Sequence, residues 1–259
     1  MSNPTVVRED RGATVVITLN RPDMRNAIDD ALLEGLASEL EAVSDLPACR
    51  VVVLRGAGRV FCAGGDVNDM PMLRTEAEYR SRRLIAEQSV ARAVRELDRP
   101  LIAQIHGAAI GGGLVLAALC DLRIAASGTR FSLPETAYGT TASLGGIFML
   151  TRIVGLGRAF ELLYLGERFD AARALEMGLV NRVVPPNELE QEVQRVADRL
   201  ADQFPREMML TRRAILDGLD LEFSAAAKRE TEAAMTAHLG GDVVEGFKRA
   251  RARMTSSGG

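Results

Sequence analysis

Two glycine-rich stretches hold the residue types best suited to chemistry. The first, "HGAAIGGGLVLAALCD" from His106 to Asp121, sets three consecutive glycines between a strand-like run, "PLIAQI", and a helix-like one. A Gly-rich turn of this kind leaves backbone N–H groups unpaired at a helix N-terminus, where the helix dipole adds to their pull on negative charge. The second, "GAGRVFCAGGDVNDM" from Gly56 to Met70, follows the strand-like "RVVVLRG" and exposes Ala63, Gly64 and Gly65 ahead of Asp66. One N–H from each loop, aimed at the same carbonyl oxygen, makes an oxyanion hole, in which a single donor is worth roughly 3–4 kcal/mol of transition-state stabilisation. A group able to move protons stands in "FSLPET". There Glu135 follows an apolar run and a proline, so desolvation raises its pKa and suits it to act as base and then acid.

Competing chemistries each lack a required part. Gly111 and Gly113 open a GxGxxG dinucleotide fingerprint, but the third glycine position holds Leu116, and Asp121 follows too soon to reach a ribose. No GxSxG elbow is present, and Ser143 has only His106 and His238 as possible bases, which argues against serine hydrolysis. His106 reads as a satisfied core histidine. Cys49, Cys62 and Cys120 lie among apolar neighbours without CxxC spacing, so neither a disulfide framework nor a metal site is expected, and a reducing cytoplasm fits the composition.

The surrounding elements must bring the two loops and the carboxylate together. The chain has 259 residues, 47% of them hydrophobic and 26% charged, enough for a globular core. Its net charge of −3 gives no reason to expect nucleic acid or an anionic membrane surface as partner. "MSNPTVVRED" has no apolar h-region and the run Ala108–Cys120 is too short to span a bilayer, so neither a secretory signal nor a membrane segment is expected. Short β-rich runs ("TVVITL", "RVVVLRG", "PLIAQIHG", "DLRIAAS", "TRFSL") alternate with helical ones, which predicts an α/β core with many parallel strands. Leu32, Leu33, Leu36, Leu40 and Val43 recur at helical spacing, with Asp29 or Asp30 as N-cap. The strand, small-residue loop, helix pattern returns after Leu19, Leu54 and Ile105, and from "GLGRAFELLYLG" onward the signals are helical.

"NRPDMRNAID", "GRVFCAGGDV", "HGAAIGGGLVLAALCDLRIAA", "FSLPETAYG" and "GLVNRVVP" stand in the order seen in the crotonase, or enoyl-CoA hydratase/isomerase, superfamily, and the resemblance runs from about residue 5 to about residue 235. The resemblance implies a spiral of ββα units over residues 1–195 and a C-terminal helical trimerisation region over 196–259, assembled as a homotrimer or as a hexamer of paired trimers. It implies an acyl-CoA substrate, with coenzyme A carried as part of that substrate and no separate cofactor. The thioester oxygen would sit between the N–H groups of Gly65 and Gly112. Arg25 falls where the family often places a basic side chain near the CoA phosphates, and Ala27, Ala63, Asp66 and Val67 match positions along the adenine and pantetheine path, chiefly through backbone.

Hydratases of the superfamily hold the attacking water between two glutamates, one three residues after the central oxyanion-hole glycine and one in the "PE" element. Here the first position is Val115, on the acyl path, and the second is Glu135. Ala142 and Ser143 replace the usual proline and glycine, at a point where dienoyl-CoA isomerases place an aspartate at the position of Ser143. Ser143 is therefore a candidate to hydrogen-bond substrate or water, with a helix-cap role as the alternative. The expected activity is isomerase-like proton transfer by the single glutamate Glu135 on an unsaturated acyl thioester. The alternatives are a single-glutamate enoyl-CoA hydratase or hydratase-lyase and a non-catalytic acyl-CoA binder.

Overall fold

The structure, a computed structural model, describes residues 3–68 and 75–256. The chain divides into two compact units, Met1–Leu200 and Ala201–Gly259. This division falls in the last turn of the helix Leu189–Ala201.

In the first unit, strands β1 (Val6–Arg11), β2 (Thr14–Leu19), β3 (Val51–Gly56), β4 (Leu101–Ile105), β6 (Leu122–Ala126) and β9 (Arg182–Val184) form one sheet in the order β1-β2-β3-β4-β6-β9. Only β1 runs antiparallel, joined to β2 by a turn at Gly12; the other pairs are parallel, as the alternation with helices requires. β2 and β3 are buried on both faces, so they read as near-continuous apolar runs without alternation. A second sheet, unforeseen in the sequence, sets β7 (Arg130–Ser132) between β5 (Ala108–Ile110) and β8 (Phe169–Asp170). Of its strands only β7, within "TRFSL", reads as β-rich in the sequence; β5 and β8, of three and two residues, carry too little periodicity.

Helices fill the crossovers. α1 (Asp30–Val43) buries Leu32, Leu33, Leu36, Leu40 and Val43, and the Asp29 side chain caps it by accepting from Leu32 N at 2.8 Å. α2 (Glu76–Tyr79) leads through a π turn, Arg80–Leu84, into α3 (Ile85–Glu96), which packs on α1. α4 (Gly112–Leu119) is apolar on every side and lies wholly in the core. α5 (Gly146–Val154) packs beside it and α6 (Leu156–Leu165) packs on α5, and α7 (Ala171–Glu176) and α8 (Leu189–Ala201) complete the unit. The second unit is helical among its described residues: α9 (Pro205–Gly218), α10 (Phe223–His238) and α11 (Asp242–Ser256). No helix among the described residues is long and apolar enough to cross a membrane.

Candidate active site

The two glycine loops lie at the C-terminal ends of the neighbouring parallel strands β3 and β4, the edge of an open parallel sheet at which ligands bind. Cys62 and Ala109 form a parallel bridge, with Cys62 N donating to Ala108 O at 3.1 Å and Ile110 N to Cys62 O at 3.0 Å. Two glycines permit this contact. Gly111 takes φ +51°, ψ −125°, a conformation open to glycine. A Cβ on Gly113 would stand 2.5 Å from the Cys62 carbonyl oxygen, so the loops touch backbone to backbone. Gly112, between them, presents its N–H at the head of α4. Neither that N–H nor that of Gly65 is hydrogen-bonded among the described residues, and the Gly65 nitrogen lies 3.9 Å from where a Gly112 Cβ would be. Two bare donors side by side, one on a helix N-terminus, form a site for a developing oxyanion.

A polar clamp sets the first of these loops. Ile28 N donates to Gly64 O at 2.7 Å and Asp66 N to Ile28 O at 2.9 Å, which lays Gly64–Asp66 along the segment before α1. The Arg21 guanidinium reaches Asp29 at 3.0 Å and Asp66 at 3.1 Å and also donates to the Ala27 carbonyl. Asn26, fully buried in the left-handed conformation (φ +56°), donates from Nδ2 to the carbonyls of Ala57, Val60 and Phe61. Burial works to raise the Asp66 pKa, but hydrogen bonds from Asn68 N–H and Arg21 outweigh it and hold the carboxyl below its ordinary value. Asp66 is thus a fixed anion that secures the loop.

Glu135 opens the 3₁₀ turn Glu135–Tyr138 after β7. Its Oε1 lies 2.8 Å from the point where a Gly111 Cβ would stand, beside the donor pair, and its Oε2 is buried with no hydrogen-bond partner. Burial therefore raises its pKa. A carboxyl that is neither paired nor fully hydrated, next to two free N–H donors, is equipped to take a proton from a carbon whose neighbouring carbonyl those donors polarise. Burial also pushes the Cys62 thiol up to about 12, which leaves it protonated and no nucleophile. No cluster of three or more metal-ligating side chains occurs among the described residues.

A sequence model of the family described as enoyl-CoA hydratase/isomerase matches residues 9–249. The chain belongs to that family. It is similar to the short-chain-enoyl-CoA hydratase of Clostridium acetobutylicum, 34% identical over 256 residues, covering 94% of this chain and 97% of that one. Among solved structures it resembles the enoyl-CoA hydratase from Bacillus anthracis, with a TM-score of 0.90, 33% identity and 96% of each chain covered. It also resembles a monofunctional enoyl-CoA isomerase from M. smegmatis, with a TM-score of 0.75 and 34% identity, covering 87% of this chain and 99% of that one. The fold is accordingly that of the crotonase superfamily, and the chain is an enzyme of the hydratase/isomerase type acting on an acyl-CoA.

Measured against the family pattern, the other sequence-derived residues fall into two groups. Arg25 (φ +53°) is exposed beside the donor loops; its backbone N–H donates to the Pro22 carbonyl at 3.0 Å, and its guanidinium makes no hydrogen bond or ion pair among the described residues. Ala63 donates its N–H to the Arg25 carbonyl at 3.0 Å, Ala27 is buried, and Val67 is 75% exposed, so this run forms an open rim. Val115, in contrast, is only 1% exposed: its methyl groups press on Gly146, where a Cβ would meet them at 2.5 Å, so it fills the core under α5 and offers the acyl path next to no surface. Ser143 is exposed and caps no helix; its Oγ donates to Glu87 Oε1 at 3.0 Å. His106 is half-buried and hydrogen-bonds the Gly58 carbonyl at 3.0 Å. Asp121 accepts from Leu101 N at 2.8 Å, away from the donors.

Sequence reasoning passed over three residues: Arg21, Asn26 and Glu87. Arg21 and Asn26 lie within the quoted "NRPDMRNAID", and an asparagine suits a left-handed turn, so a signal existed. Glu87 is one of many charges in a helical run, and only its half-buried place and its hydrogen bond from Ser143 distinguish it.

Proposed function

We propose that this enzyme shifts a double bond in an enoyl-CoA thioester, with Glu135 as the proton-transferring base and the N–H groups of Gly65 and Gly112 holding the enolate oxygen. The observation that supports this reading is the contrast between Glu135, unpaired beside the donor pair, and Val115, apolar and buried at the position where a hydratase of the superfamily keeps its second glutamate. A base and an oxyanion site suffice to remove a proton from the carbon next to the thioester and to return one further along the chain. Arg25 would meet the CoA phosphates, and Ala27, Ala63, Asp66 and Val67 would border the pantetheine and adenine. The working form would be a homotrimer or a pair of trimers, with residues 196–259 making the helical association region. No cofactor beyond the CoA of the substrate is required.

Hydration, with or without subsequent carbon–carbon cleavage, is the second reading, favoured by the hydratase name of the Clostridium acetobutylicum relative. Mass spectrometry of 2-enoyl- and 3-enoyl-CoA panels turned over in heavy water separates the two. Deuterium uptake with a moved double bond and no added oxygen supports the isomerase; addition of water or loss of a carbon fragment overturns it. Glu135→Gln is expected to lower kcat by about 10²–10⁴-fold with little change in KM.

A further inference from the structure

One loop connects Glu135, Val115 and a second, half-buried carboxyl, Glu87. Thr140 N donates to the Glu135 carbonyl at 3.0 Å, and Ala142 is buried and lines, with Glu135, a cavity of about 250 Å³. Ser143 O accepts from Gly146 N at 2.8 Å, and Gly146 is the residue on which Val115 rests. Between them, Leu144 holds φ +58°, a conformation costly for a leucine and kept only where its surroundings insist on it. From this same loop the Ser143 hydroxyl donates to Glu87 Oε1 at 3.0 Å.

Glu87 stands in the first turn of α3, directly after the π turn Arg80–Leu84; π bulges re-aim side chains and gather at functional sites. The charged and titratable groups facing it are Arg83 from the π turn, Asp30 from α1 and Tyr79 from α2. Burial raises the Glu87 pKa; the Ser143 hydrogen bond and Arg83 oppose that rise, and Asp30 adds to it. A carboxyl costly to bury as an anion is thereby held, by hydrogen bond, to the loop that adjoins both Glu135 and Val115.

We propose that Glu87, held by Ser143, is a second proton-transfer group of this site, meeting the acyl chain further from the thioester than Glu135 does. The assignment rests on the isomerase reading above and deepens it, since its substrate is a 3-enoyl thioester that gives up a proton at C2 and gains one at C4. Ionised Glu135 takes the C2 proton. The C–H electron pair forms the dienolate, whose oxygen is held by the two N–H groups. The π pair at C3=C4 then takes a proton from neutral Glu87, and the new double bond is C2=C3. Glu135 is left protonated and Glu87 ionised; a proton passing between them through solvent resets the site, and no co-reactant is consumed.

The test follows bond shift and C2 exchange separately in heavy water with a 3-enoyl-CoA, using Glu87→Gln, Ser143→Ala and Glu135→Gln. Glu87→Gln is expected to cut the shift by about 10²-fold or more. It should leave C2 exchange running, because the stalled dienolate returns to C2 with a solvent deuteron. Ser143→Ala, which removes a bond that lowers the Glu87 pKa, should carry the alkaline limb of the kcat profile to higher pH. In light water, substrate deuterated at C2 should give product without deuterium at C4. An undiminished shift in Glu87→Gln, an unmoved alkaline limb in Ser143→Ala, or efficient C2-to-C4 label transfer each overturns the assignment and leaves Glu135 in its role. Exchange and shift that both survive Glu135→Gln, or water addition by the wild-type enzyme, overturn the parent reading and this one with it.

Discussion

Glu135 has one oxygen against the backbone of Gly111 and the other buried without a partner, and its titration follows from that. Burial raises its pKa above the usual 4.5, and the ionised form is the base. Activity should therefore fall as pH drops through the raised value, with the acid limb of kcat above 4.5; a limb at or below 4.5 would assign the base elsewhere. The linkage to stability has the opposite sense. A carboxyl raised in the folded state favours the fold while protonated, and that contribution is lost as pH rises through the folded-state value. Glu135→Gln should accordingly be more heat-stable than wild type at pH 8 and indistinguishable from it below 4.5, measured by thermal unfolding at the two pH values. A side chain tuned for proton transfer costs stability at working pH, and the glutamine exchanges activity for that stability.

The elements supply positions that no single residue can hold. The Gly65 N–H is aimed by Asn26, whose amide spans three carbonyls of the Ala57–Phe61 turn, and by Arg21 bridging Asp29 and Asp66. Asn26→Ala leaves buried carbonyls unpaired, at about 1–3 kcal/mol apiece where water cannot replace the bond. It should lower both Tm and kcat although residue 26 touches no reacting atom; loss of stability with full kcat would show that the loop keeps its aim without the clamp. α4 and α5 meet at Val115 and Gly146. Gly146→Ala alone should destabilise by about 1–3 kcal/mol through overpacking. Val115→Ala added to it should restore part of that loss, read as a coupling of about 0.5–3 kcal/mol in a denaturant-unfolding cycle. Additive losses would mean that the two helices shift apart to absorb the extra methyl.

At the scale of the whole molecule, the first unit leaves Leu156, Phe160, Tyr164 and Leu165 of α6 exposed by 47–68%. We propose that copies of the chain associate through this apolar face in the assembly proposed above. Sedimentation should return three or six times the chain mass, and Phe160→Glu should lower it; a wild-type monomer would refute the proposed assembly.

Much of this enzyme was legible from local patterns. Strands buried on both faces must be apolar throughout, α1 shows its inward stripe and its aspartate cap, and a strand followed by glycines and an apolar helix already describes an anion-holding turn. Those features depend on neighbours a few residues apart, and the ordered motifs carry the family with them. What the sequence could not place were relations across long separations. Gly65 stands beside Gly112, Glu135 against Gly111, Val115 under Gly146 and Ser143 against Glu87, pairs that come together only when parallel strands and their crossovers stack. For the same reason the burial of Val115 under α5 could not be read from the sequence. An apolar residue three positions after a loop glycine has the same local pattern in the core or on the acyl path, and only tertiary packing decides which face of α4 it takes.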